Sequence, residues 1–378
     1  MECPGVPGLM SDCVEEKAAE QQSIPTLTVE ATEEAAPEFV GAAYEPMGQI
    51  EAGGELAYEY VAPKEPKDWG TVEEIRAMMV GHDSYFNSKE EYRKYNELCE
   101  VSKMDGIGGK DFHDLAETTW ASVHRPKGGS WVNSGKCMVY FHGGAMIAGG
   151  PEQANVFLNR YVAEAGITII NVKYRLAPEA RTPCQIADGY AAFMDVVTNP
   201  TKFGIDAKKV GFFGDSAGAY ITAGVGMVLA QREQGHLARI QMQLSPGVSN
   251  SILKGDEWKR AAGCNEAELR VFAPFVTTNF LRISDKNAEE WASDPYLFPN
   301  EMGDELACKV PPVVILTAEF DAMRHGSREA RDLYQKNGTL LHYIELGGGY
   351  HCSWMNYAMA QTAVWYMDFT RLVQFYLK

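Results

Sequence analysis

The sequence predicts an α/β protein with a mostly parallel central sheet flanked by helices, and three observations carry that prediction. Short apolar runs of strand length alternate with helical patterns from about residue 137 to the end, the order that builds a parallel sheet. The 378 residues suit one long α/β domain with an insertion better than two ordinary domains of about 150 each. A tight glycine-bounded turn, Gly214-Asp215-Ser216-Ala217-Gly218, stands where one strand run gives way to a helix.

Residues 1 to about 66 are rich in Glu, Ala, Pro and Gly and poor in large aliphatics. Too little apolar surface is available there to offset the entropy of ordering, so the reading is an acidic, disordered tail. The catalytic domain then spans 67–378. Thr71-Val72-Glu73-Glu74 has the form of a capping box, with Ile75, Met78 and Met79 at helical spacing. Helices are expected from Thr71 to about Cys99, within a cap contributed by about 70–105. Strands follow at Cys137 to Phe141, Ile167 to Val172, Val210 to Phe213, Ile240 to Leu244, Val313 to Leu316 and Leu340 to Ile344. Helices are expected across Gln185 to Val197, Ala217 to Glu233 and Ser327 to Gln335, and Trp365, Phe369, Leu372 and Tyr376 recur at helical spacing to close the chain. Residues 250–298 break the rhythm with Trp258, Phe272, Phe275, Phe280, Trp291, Tyr296 and Phe298. That stretch reads as an insertion over the site and a second part of the cap.

Charge narrows the function. Fourteen acidic residues against two basic in 1–65 place −12 of the formal −17 in the tail, leaving a mildly acidic body. No basic patch for nucleic acid or anionic lipid is expected, so the partner is a small or apolar molecule. The eight cysteines (Cys3, Cys13, Cys99, Cys137, Cys184, Cys264, Cys308 and Cys352) form no C-x-x-C pair and no metal-ligand spacing, which suits reduced thiols. The start, Met-Glu-Cys-Pro-Gly, lacks a basic and an apolar leader region, and no apolar run reaches membrane-spanning length. A soluble, cytoplasmic protein is the expectation. The sequence leaves a homo-oligomer open.

Gly214 to Gly218 matches G-x-S-x-G in its mechanical setting, after a strand and before a helix. Small neighbours relieve the crowding of so sharp a turn, and Ser216 would project its hydroxyl at the helix N-terminus. A serine hydroxyl needs a base, and the base a carboxylate to orient it. With this elbow the acid and then the base follow the serine, each behind its own strand. Thr317-Ala318-Glu319-Phe320-Asp321 follows one strand and Gly347-Gly348-Gly349-Tyr350-His351 the next. Asp321 is the candidate acid, with Glu319 as competitor, and His351 the candidate base. The negative oxygen of the intermediate requires donors fixed in advance. Gly143 and Gly144 in Phe141-His142-Gly143-Gly144-Ala145 are expected to supply backbone N–H groups, joined by that of Ala217. His142 reads as a hydrogen-bonding brace.

Four blocks together resemble the hormone-sensitive lipase family of α/β-hydrolases: His142-Gly143-Gly144, Tyr174 to Glu179 with Asp188 downstream, Gly214 to Gly218, and the Asp321 and His351 loops. The likeness covers about residues 70–378. It implies the α/β-hydrolase fold with a helical cap, a preference for short to medium acyl esters, and no metal or organic cofactor. Tyr174 to Glu179 would shape a turn. Two positions depart from the family pattern: Ala145 replaces a third glycine, and Cys352 a small glycine after the base, followed by Ser353 and Trp354. The expected function is a serine carboxylester hydrolase of short- to medium-chain or small aromatic esters, acting through an acyl-enzyme on Ser216. A dehydratase, an acyltransferase or a small-molecule receptor on the same fold are the alternatives, although the receptor is disfavoured by an intact His351.

Overall fold

The computed structural model describes residues 71–109, 115–128, 134–250, 292–319, 321, 323–355 and 360–378. The expected tail, and Trp258, Phe272, Phe275, Phe280 and Trp291 of the expected insertion, lie outside the described residues.

Among the described residues eight strands form the sheet: β1 Cys99–Ile107, β2 Thr119–Pro126, β3 Cys137–Phe141, β4 Thr168–Val172, β5 Val210–Asp215, β6 Gln241–Leu244, β7 Val313–Ala318 and β8 Leu340–Leu346. Their spatial order is β1-β2-β4-β3-β5-β6-β7-β8. β1 pairs with β2, and β2 with β4, antiparallel; the pairs from β4 through β8 are parallel. Strands covered on both faces read as unbroken apolar runs. β3 and β7 do so, and every residue in them is buried.

The helices are α1 Val72–Ser88, α2 Glu90–Arg93, α3 Pro151–Ala165, α4 Cys184–Thr198, α5 Pro200–Phe203, α6 Ala217–Gln231, α7 Gly303–Ala307, α8 Arg324–Lys336 and α9 Ala360–Tyr376. They cover both faces of the sheet. On one face α4 and α6 bury Ile186, Phe193, Ile221 and Val225 against Phe141 and Phe212. On the other, α3 and α9 bring Leu158, Tyr161, Trp365 and Phe369 onto Tyr140, Phe213 and Leu316. Each large apolar side chain so buried contributes about 1.5–3 kcal/mol. Among the described residues no helix is long and apolar enough to cross a membrane.

The start of α1 is the capping box expected at Thr71. Thr71 Oγ1 accepts the Glu74 N–H at 3.2 Å, and Glu74 Oε2 accepts the Thr71 N–H at 2.6 Å. One turn on, Arg76 ties α1 to the body through the carbonyls of Ile147 (2.7 Å) and Ala177 (3.0 Å) and a forked pair with Glu179 at 2.8 Å. Helical structure, expected to about Cys99, stops there, and Cys99–Ile107 is a sheet-edge strand. Its outward side chains include Glu100, Val101 and Asp105, and charges on an edge blunt pairing with other chains.

The Tyr174 to Glu179 block is a scaffold. Arg175 grips Asp188, 1% exposed, at 2.8 and 2.9 Å. The N–H groups of Arg175 and Glu117 close on the same carboxylate at 3.0 and 3.1 Å. Every lone pair of a buried charge that is met in this way removes a reason for the turn to open.

Candidate active site

The carboxyl ends of the parallel strands converge on one place. β5 ends at Asp215, and Ser216 turns the chain into α6 with φ 53° and ψ −116°, a conformation a side-chain-bearing residue adopts only under strain. The Ser216 N–H is held by the Leu244 carbonyl at 2.8 Å. The turn closes only because its flanks are glycines: a Cβ on Gly218 would strike the Phe141 carbonyl, and one on Gly214 would strike the backbone of Gly218.

His351 comes from the glycine loop behind β8. Its Nε2 lies 2.9 Å from Ser216 Oγ and its Nδ1 2.9 Å from Asp321 Oδ1. With Nδ1–H donating to the carboxylate, Nε2 is left to accept the serine proton. The two candidate acids have separate places. Asp321 faces the imidazole, whereas Glu319 Oε2 accepts the Gly348 N–H at 2.8 Å and braces the loop that carries His351.

Asp321 is 0% exposed. Burial works against its charge, but His351, the Ser245 hydroxyl and the Met323 N–H together hold it below the ordinary carboxylate range. His351 answers in kind. Burial disfavours the imidazolium, yet the adjacent Asp321 carboxylate leads the groups that raise it well above 6.5. The His351 side chain keeps 37% of its surface exposed, so the base remains open to a substrate.

Asp215 supports the site from below. It is 3% exposed and accepts the Tyr140 hydroxyl. Burial outweighs Tyr140, His351 and the Gly143 N–H and shifts the carboxyl upward. The loop after β3 passes close over this carboxylate, and a Cβ at Gly143 would strike it. Gly144 (φ 120°), Ala145 (φ 53°) and Met146 (φ 64°) carry the loop through left-handed conformations. Ala145 thus adopts the backbone of the glycine it replaces.

His142 is a brace. It stacks on Tyr174 with ring centroids 4.2 Å apart, its Nδ1 meets the Gly143 carbonyl at 2.7 Å, and burial lowers it to about 3, so it stays neutral. Cys352 sits between Asp215 and His351 with its Sγ 3.9 Å from Asp215 Oδ2, and burial pushes its thiol up to about 11. A neutral thiol there is a poor redox centre. Trp354, 2% exposed, packs into the core behind the loop. Tyr92 in α2 fastens the same loop by donating its hydroxyl to the Met355 carbonyl at 2.9 Å.

The sequence pattern did not single out Asp215, Tyr140 or Ser245. Asp215 was visible as the variable residue of G-x-S-x-G, and Ser245 as the first residue beyond a parallel strand.

A strained elbow serine on a mainly parallel sheet, with a histidine and a buried aspartate in line behind it, defines the architecture of the α/β-hydrolases. A profile of the alpha/beta hydrolase fold family matches residues 138–355. An AB hydrolase superfamily protein of Schizosaccharomyces pombe is 35% identical over 129 residues, which are 34% of this chain and 38% of that protein. An acetyl esterase of Salmonella paratyphi B is 26% identical over 231 residues, 60% of this chain and 67% of that protein. A solved structure of a Pyrobaculum calidifontis esterase superposes with a TM-score of 0.67 at 21% identity, covering 81% of this chain and 92% of that one. The chain belongs to the α/β-hydrolase family, in its hormone-sensitive lipase branch. It spans little more than a third of the length of the S. pombe relative, 38%.

Proposed function

We propose that this protein is a serine carboxylester hydrolase of short- to medium-chain or small aromatic esters, working through an acyl-enzyme on Ser216. The observation that carries the proposal is the unbroken relay from Ser216 Oγ to His351 Nε2 (2.9 Å) and from His351 Nδ1 to Asp321 Oδ1 (2.9 Å). The named activity of the Salmonella relative supports the same reading.

In this mechanism Ser216 Oγ forms a bond to the ester carbonyl carbon while its proton passes to His351 Nε2. Asp321 stabilises the resulting imidazolium. The N–H groups of Gly143, Gly144 and Ala217 are the donors proposed to meet the oxyanion, and each such donor is worth about 10²- to 10³-fold in turnover. As the carbonyl re-forms, the ester C–O bond breaks and His351 returns the proton to the departing alcohol. Water then repeats the sequence on the acyl-enzyme, and the acid leaves.

The proposal also places the chain in the cytoplasm, acting on a small-molecule ester without nucleic acid, metal or organic cofactor. Free thiols at Cys99, Cys137, Cys184, Cys308 and Cys352 suit a reducing compartment. The test is a panel of p-nitrophenyl esters from acetate to octanoate with fluorophosphonate labelling of Ser216. Ser216→Ala or His351→Ala is expected to lower kcat by about 10⁴-fold or more. Equal, slow turnover by wild type and Ser216→Ala would remove the catalytic reading. Labelling without hydrolysis would transfer the assignment to acyl transfer or elimination.

A further inference from the structure

β3, β5, β7 and β8 each deliver part of the site at their carboxyl ends, and β6 lies between β5 and β7 in the sheet. Its carboxyl end therefore opens between the serine and the acid. The residue there is Ser245, 0% exposed, with φ 52°. Glycine would adopt that left-handed conformation without strain. A serine retained in it suggests that the side chain is needed, since strain of this kind gathers at functional positions.

The Ser245 hydroxyl donates to Asp321 Oδ2. The other oxygen, Oδ1, is already occupied by His351 Nδ1 at 2.9 Å and the Met323 N–H at 2.8 Å. Ser245 is itself fixed, its N–H donating to the Leu316 carbonyl of β7 at 2.7 Å. The geometry points to Ser245 as a positioning residue that holds the Asp321 carboxylate by its second oxygen, in the orientation that receives His351. This inference rests on the relay assigned above and extends it to four groups.

The hydroxyl also bears on proton affinity. Around His351 the charged or titratable groups are Asp321 behind β7, Asp215 at the end of β5 and the neighbouring Cys352. A hydrogen bond to Asp321 is strongest while the imidazole is neutral, because the imidazolium already satisfies part of the carboxylate's charge. Loss of the hydroxyl destabilises the unprotonated pair more than the protonated one. It also makes a protonated Asp321 more accessible. Both effects raise the proton affinity of the pair, so the lower limb of the pH profile moves upward.

Two substitutions in the full chain separate positioning from folding. Ser245→Gly relieves the backbone and removes the hydroxyl. It should melt within a few degrees of wild type, lose about tenfold in kcat with KM held, and raise the lower limb of the Ser216 fluorophosphonate-labelling rate by about half a pH unit. Ser245→Thr retains the hydroxyl but places a branched side chain at φ 52°. It should melt lower while keeping the wild-type limb. A wild-type kcat and limb in Ser245→Gly would overturn the inference, as would the same shift in both variants. Labelling tests the relay whether or not esters are the substrate. Wild type that labels but hydrolyses no ester would remove the hydrolase reading and leave the Ser245 comparison decisive, and wild type that does not label would overturn both.

Discussion

Around Ser216, the acid, the base and the thiol each sit in the protonation state that their surroundings favour. Asp321 is charged because its oxygens are met by His351, Met323 and Ser245, whereas Glu319 serves the His351 loop through the Gly348 N–H. The base acts only when neutral, and Asp321 raises His351 well above 6.5. Below that raised pKa the imidazolium cannot accept the serine proton. The lower limb of kcat/KM is therefore expected at a pH above that of a free imidazole, measurable with p-nitrophenyl acetate from pH 5 to 9. A limb at or below 6.5 would mean that Asp321 does not bear on His351 in the free enzyme. At this scale Ser216, Asp321 and His351 could be picked out from the sequence because each type is demanded by the one before it. Asp321 was preferred to Glu319 on sequence, but both follow β7, and only the direction of each side chain shows that Asp321 faces the imidazole while Glu319 holds the Gly348 N–H.

Between elements, close approach decides what the site can be. α6 lies so near β3 that a Cβ on Gly218 has no space beside the Phe141 carbonyl. Gly218→Ala is expected to force the helix off the sheet, at a cost of about 1–3 kcal/mol or more. Because Ser216 caps that helix, activity should fall further than stability does, a difference read by comparing the melting temperature with the ester-hydrolysis rate. Unchanged values of both would show that α6 can be displaced without moving the serine. The parallel strands β3 to β8 were legible because each carries a short apolar run, unbroken in β3 and buried throughout in β3 and β7, while β1 and β2 were not. β1 carries Glu100, Lys103 and Asp105 along an exposed edge and so offers no apolar run of strand length, which left most of it inside the expected cap. α3 escaped for a related reason: Asn159 interrupts its apolar face, yet it is 2% exposed and serves His124 Nδ1 at 2.8 Å and Asn96 at 2.7 Å.

Across the whole molecule, buried neutral histidines tie stability to pH. Burial lowers His124 to about 4, His142 to about 3 and His342 to about 4, all from an ordinary 6.5. The unfolded chain binds more protons at these three positions between about pH 6.5 and 4, so their contribution is complete above 6.5 and is lost as pH falls through that window. His351, raised in the fold, acts with the opposite sign, contributing fully below 6.5 and less at higher pH. The raised carboxyls of Asp188, Asp215 and Asp294 act with the sign of His351, so the histidine contribution is read by difference: His342→Gln is expected to lose less of its urea midpoint between pH 7 and pH 5 than wild type, and an equal loss would mean that His342 stays neutral in the unfolded chain as well. Taken alone, the sequence determined the α/β class, the strands of the parallel sheet and the chemical types of the relay, because these depend on local apolar runs, glycine-bounded turns and chain order. Only the tertiary structure decided which carboxylate faces His351, and that Ser245 reaches Asp321 across 76 residues of chain. Those are matters of direction and distance between strand ends, which exist only once the strands lie side by side.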